Sequence, residues 1–121
     1  MSHLRDEKGI EVIEFMGIMG IIIIVAMIAW QFIIAAHVAL ITASAAEEGA
    51  RAAAVRGNAY AAVARGIGGY QYVTTAGVCA GGGMPVAVTV RIRLPILEIP
   101  FVPIPPLWTN HTATARCEPV L

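Results

Sequence analysis

From Phe15 to Ala36 the chain carries no charged residue, and Gln31 is the only strongly polar side chain in that run. A helix needs about 20 such residues to cross the hydrocarbon core of a bilayer. The run meets that length, so the sequence predicts a membrane-spanning helix. Composition agrees: 13% of residues are charged and 58% are hydrophobic, which is extreme for a small soluble domain and ordinary for an anchored one. Once the run is set aside, 121 residues leave room for one small domain at most.

The segment before the span is short and charged. A secretory signal peptide also begins this way, and Ala43-Ser44-Ala45 imitates its small-residue cleavage site. Glu11 and Glu14, however, stand where a signal peptide carries positive charge, and the apolar stretch exceeds the usual signal core. Flanking charge orients the helix only weakly, because Arg5 and Lys8 on one side are balanced by Arg51 and Arg56 on the other. The cysteines decide it. Cys79 and Cys117 both follow the span, and an even pair suits an oxidising compartment. The expected topology therefore has the N-terminus in the cytoplasm and the C-terminus outside it.

Four segments are expected. Residues 1–9 form a polar leader. Residues 10–65 read as one long alanine-rich helix without proline, its transmembrane part being 15–36. Residues 66–85 form a glycine-rich loop, and 86–121 a β-hairpin tail with a proline-rich connection. Within the second half of the helix, small residues at 42, 46, 49, 50, 53 and 54 share one face, a stripe that allows another helix to approach closely.

In the tail, Val86, Val88, Val90, Ile92 and Leu94 alternate with Ala87, Thr89, Arg91 and Arg93, the pattern of a half-buried strand. Thr109 to Cys117 alternates more weakly. The apolar stretch between them, Pro95 to Trp108, holds too many prolines for a central strand. Tyr70 to Thr75 is a candidate for a third, short strand. A disulfide joining Cys79 to Cys117 would tie the loop before the first tail strand to the end of the last, worth roughly 4 kcal/mol by chain entropy.

At the membrane edge the chain reads Lys8-Gly9-Ile10-Glu11-Val12-Ile13-Glu14-Phe15. A cut between Gly9 and Ile10 would create an ammonium group one helical turn from Glu14, able to pair with that carboxylate in its own chain or in a neighbouring copy. This junction resembles the leader junction of type IV pilins and pseudopilins. Beyond the span, Glu48-Gly49-Ala50-Arg51, within Ala45 to Ala54, resembles the box of TadE-like proteins of tight-adherence (Tad/Flp) pilus systems. Glu47 departs from the basic residue common beside that box, and Ile10 from the aromatic or methionine common at the first mature position.

The resemblance implies an α+β membrane-anchored, pilin-like fold: a long N-terminal transmembrane helix followed by a small antiparallel β tail. It implies a structural subunit, most similar to a minor pilin, cut after Gly9 by a prepilin peptidase, with Glu14 guiding assembly and the new N-terminus a methylation site. The implied partners are other pilin or pseudopilin subunits, the prepilin peptidase, the inner-membrane assembly platform, and the lipid bilayer before assembly. The implied location is the bacterial inner membrane, then a cell-surface pilus that serves adhesion.

A formal net charge of zero with scattered cations gives no basis for nucleic-acid binding. His3, His37 and His111 are far apart in sequence and show no metal-ligand spacing, so no enzyme activity, metal or cofactor is expected. The competing reading is an uncut bitopic accessory protein that binds a partner through its extracytoplasmic β tail, using the apolar loop Ile96 to Trp108 as its contact surface.

Overall fold

The computed structural model describes residues 2–96 and 102–119, with side chains from residue 7 onward. In chain order it contains α1 (Ser2–Ala54), α2 (Ala59–Ile67), β1 (Tyr72–Ala76), β2 (Pro85–Arg93) and β3 (Trp108–Arg116). The chain divides into two units, Met1–Ile33 and Ile34–Leu121.

The first unit is the N-terminal part of α1. Large apolar side chains are exposed all along it, among them Ile13, Met16, Ile21, Ile24, Phe32 and Ile33. An 18-residue window of α1 reaches a mean hydropathy of 2.7 with none of it buried, so the helix is long and apolar enough to cross a membrane. A helix that is apolar on all sides has no water-facing side and depends on lipid or on other helices for cover.

The second unit is a small α+β layer structure. Its sheet has the order β1-β2-β3, antiparallel throughout. Tyr72 pairs with Ile92 and Ala76 with Val88 on one side of β2; Pro85 pairs with Arg116 and Arg93 with Trp108 on the other. The burial of β2 follows its sequence alternation: Val86, Val88, Val90 and Ile92 are buried, and Ala87, Arg91 and Arg93 face out. Burying each such side chain contributes about 1.5–3 kcal/mol. Thr89 and Thr112 hydroxyls meet at 2.8 Å on the open face, a cross-strand pair that holds the β2–β3 register.

The inner face of the sheet joins one core with both helices. From α1 come Val38, Ala45, Ala46, Ala50, Ala53 and Ala54; from α2 come Ala59, Val63 and Ile67. The small-residue stripe of α1 is thus covered by the chain's own α2 and sheet. Thr42, wholly buried on that stripe, satisfies its hydroxyl by donating to the Val38 carbonyl at 2.7 Å.

The single helix expected to about residue 65 is two helices. Gly57 N–H donates to Ala52 O at 2.7 Å and Arg56 N–H to Ala53 O at 3.0 Å, the paired bonds of a Schellman ending. Arg56 occupies the left-handed position with φ 59°, a place that glycine usually takes. Asn58 then restarts the chain as an N-cap, its Oδ1 accepting from Ala61 N–H at 3.1 Å. Alanine propensity alone would carry the helix through; these local bonds, with burial of α2, end it. The glycine-rich stretch 66–85 likewise contains β1, whose backbone is satisfied by β2. Residues 2–9 are helical and continuous with the rest of α1.

Candidate functional site

Gly9 and Ile10 lie within α1, and the peptide bond between them is helical. The junction is open: nothing stands within 4 Å of a β-carbon built on Gly9, and Ile10 is 59% exposed. Glycine lowers helix stability at that point by about 1 kcal/mol relative to alanine, which favours local opening of the bond. Glu14 follows one turn after Ile10 and is exposed, with apolar neighbours Ile13, Phe15 and Ile18 around it. A carboxylate in such surroundings, once moved into lipid or protein, needs a cationic partner to remain charged.

The residues resembling the TadE-like box separate by role. Glu48 and Arg51 are exposed, whereas Gly49 and Ala50 are buried at the crossing of α1, α2 and β2. A β-carbon on Gly49 would come 2.6 Å from Val63 Cγ2 and 3.0 Å from Val88 Cγ1. Further along, a β-carbon on Gly66 would touch Ala45 at 3.5 Å, so two glycines and the alanine stripe set how closely α2 approaches α1. Arg51 stands in the last turn of α1, where a cation suits the helix dipole.

Cys79 and Cys117 form a disulfide with Cα atoms 5.8 Å apart. It sits against the end of α1: Cys79 Sγ lies 3.2 Å from Ala53 O, and Glu118 N–H donates to Ala54 O at 3.0 Å. Arg56 Nη1 reaches Glu118 O at 3.1 Å, and Cys117 N–H donates to Met84 O. One end of the second unit is thereby closed.

Open clefts flank the sheet, a third of about 340 Å³ lying between the end of α1, the start of α2 and Ala76–Cys79. One, of about 420 Å³, is lined by Glu47, Arg51, His111 and Ala113, which brings together residues that sequence spacing left far apart. A second, of about 320 Å³, is lined by Tyr70, Gln71, Arg93, Leu94, Ile104 and Pro106. Beside it the Arg91 guanidinium lies 5.5 Å from the Trp108 ring centroid, a cation–π contact on the open sheet face. Among the described residues no group of three or more His, Cys, Asp or Glu side chains is gathered to hold a metal ion. His37 is exposed on α1, and Asn110 and His111 belong to β3.

No protein-family profile, curated protein or solved structure matches the chain.

Proposed function

We propose that the chain is a structural, pilin-like subunit of a bacterial type IV pilus of the Tad/Flp kind or of its assembly machinery, cut after Gly9 and packed through its N-terminal helix. The observation that carries this reading is the first part of α1, apolar on all sides and uncovered by the rest of the chain, directly behind a Gly-Ile-Glu-Val-Ile-Glu junction. Lipid and the interior of a helix bundle are both apolar, so transfer from one to the other changes little for the isoleucines. The charges at the junction then decide register: the ammonium created at Ile10 pairs with Glu14 of a neighbouring copy, and a head-to-tail contact that does not close yields a filament.

The second unit serves as a small extracytoplasmic head, in keeping with a minor or pseudopilin-type subunit. Its disulfide suits that side of the membrane. A secretory cut after Ala45 fits poorly, because it would remove Val38 and Thr42 from the core and expose the inner face they cover.

The test is the intact mass and N-terminal sequence of the protein from its own cells, together with its fractionation. A chain beginning at Ile10 and recovered in sheared filaments is the expected result. A chain that retains Met1 to Gly9 and stays in the inner membrane overturns the proposal in favour of the bitopic accessory protein.

A further inference from the structure

The order β1-β2-β3 leaves β1 and β3 each with one side unpaired among the described residues. On β3, Cys117 N–H donates to Met84 O and Leu107 O accepts from Leu94 N–H, so the odd-numbered residues bond to β2. By the alternation of an antiparallel ladder, Asn110, Thr112, Thr114 and Arg116 turn their N–H and C=O groups to the free side. On β1, Gly77 N–H donates to Ala87 O and Gln71 O accepts from Arg93 N–H, which leaves Tyr72, Thr74 and Ala76 outward in the same way. Natural edge strands are blunted by proline, bulges or charge. Neither strand holds a proline, both ladders run in unbroken register, and Arg116 is the only residue of the two with a permanent charge.

A cleft and a side chain on the two edges match one another. The cleft of about 420 Å³ lies on the inner side of the β3 edge, where Ala113 and Ala115, paired with Val88 and Val86, share the buried face of the sheet. With Ala50 they make a small apolar floor, and Glu47, Arg51 and His111 make a polar rim. At the other edge Tyr72, paired with the buried Ile92, lies on the same inner face and is 39% exposed. A tyrosine is an apolar ring with a hydroxyl at its tip, the shape and polarity that this cleft accepts.

Hydrogen-bond parity sets the direction of pairing. On β3 the residues with free backbone groups have their side chains on the outer face, whereas on β1 they have them on the inner face. Facing residues of paired strands share a face; both turn their groups toward each other in an antiparallel pair, and only one of the two does so in a parallel pair. With all helices on one side of the sheet, β1 of one copy can therefore extend β3 of another only as a parallel strand. Both strands are antiparallel to β2, so a parallel joint keeps every second unit pointing the same way. A two-fold pairing of β3 with β3 would reverse one copy's Ile34–Ala54 stretch against the other's, an arrangement that copies inserted in one membrane with one topology do not meet.

We infer that the second unit joins copies of this chain head to tail by sheet extension: β1 of one copy adds in parallel to β3 of the next, with Tyr72 facing Ala113, its ring in the cleft and its hydroxyl toward Glu47 and Arg51. In this register Thr114 N–H donates to Tyr72 O of the added strand, and Thr74 N–H of that strand donates to Thr114 O. Each copy keeps one edge free, so the contact repeats without closing. The inference rests on the proposed function for the shared orientation of the copies, and adds a contact between heads to the packing of the N-terminal helices.

Val73 and Thr114 face each other across this contact on the outer side of the sheet, whereas within one chain β2 stands between them. The full chain carrying Val73→Cys and Thr114→Cys is mildly oxidised in its own cells and extracted. Peptide mass analysis verifies that the Cys79–Cys117 bridge is intact and the head folded, and N-terminal sequencing of the same sample reads cleavage after Gly9. The expected result is a ladder of covalent dimers, trimers and longer species that neither single variant gives. Adding Tyr72→Ala should lower the yield of the ladder on the order of tenfold, and Tyr72→Phe should leave most of it. No ladder from a folded chain refutes the contact, and cleavage after Gly9 in that sample leaves the subunit reading standing. A ladder from an uncut chain keeps the contact and removes the pilin reading. A ladder indifferent to Tyr72→Ala refutes the seating of Tyr72 in the cleft. Dimers formed by Thr112→Cys alone would mean two-fold pairing of β3 with β3, and also overturn the inference.

Discussion

Gly49 of α1 and Val63 of α2 meet with no space for a β-carbon between them: one built on Gly49 would lie 2.6 Å from Val63 Cγ2. Val88 of β2 closes the same spot from the sheet side at 3.0 Å. The three elements of the head converge here, so the glycine sets their spacing. A change to alanine favours the helix intrinsically by up to about 1 kcal/mol but overpacks the contact by about 1–3 kcal/mol. Gly49→Ala is expected to lower stability by roughly 1–2 kcal/mol, and Val63→Ala, which removes a wholly buried side chain, to cost less in the Gly49→Ala chain than it does alone. Urea unfolding of the four proteins in detergent measures this; additive losses in the double variant would contradict the contact.

The helix break yields a pair of changes of opposite sign. Asn58→Ala removes the cap on α2 and should cost about 1 kcal/mol. Arg56→Gly relieves a left-handed residue and should stabilise by a few tenths to about 1 kcal/mol, less what is lost with the exposed bond to Glu118 O. Thermal melts followed by circular dichroism distinguish the two; equal destabilisation by both would show that the break is not built as described.

The disulfide closes a loop with a sequence separation of 38 and fastens the β1–β2 turn and the end of β3 to α1. Its removal in a Cys79→Ala, Cys117→Ala chain is expected to cost roughly 4 kcal/mol by chain entropy, a large part of what a small head can hold. Unfolding under reducing and non-reducing conditions reads the difference. Coincident curves would place the head's stability elsewhere.

Under the proposed function, Glu14→Ala should leave cleavage after Gly9 intact, because the scissile bond and its glycine are unchanged. The new ammonium at Ile10 would then lack a partner in the assembled state, a loss of about 3–5 kcal/mol. Recovery in sheared filaments should fall on the order of tenfold or more, with the processed chain accumulating in the membrane. Unchanged recovery would remove Glu14 from assembly.

Ile92 is wholly buried at the far end of β2 from the disulfide. Ile92→Ala should cost about 2–5 kcal/mol through lost burial and the cavity left behind. Arg93→Ala, one residue on and exposed, should change stability by less than about 1 kcal/mol. Similar losses for the two would mean that β2 does not bury the face assigned to it.

Much of this layout was legible in the residues because it depends on local composition and period. The uncharged run from Phe15 to Ala36 required an apolar surrounding whatever the rest of the chain did. The alternation Val86 to Ile92 placed one face of a strand inward, and two cysteines beyond the span had one another as partners. Three matters were left to the tertiary structure. Alanine and glycine at 45, 46, 49, 50, 53 and 54 permit a close neighbour without naming it, and only the path of the chain supplies α2 and β2. The break at 55–58 depends on Arg56 in a conformation that its side chain does not prefer, and the surrounding bonds hold it there. The strand order and register that bring Leu94 N–H to Leu107 O are properties of pairing between distant segments. Sequence period records which face of an element is apolar; what covers that face is decided by contacts far apart in the chain.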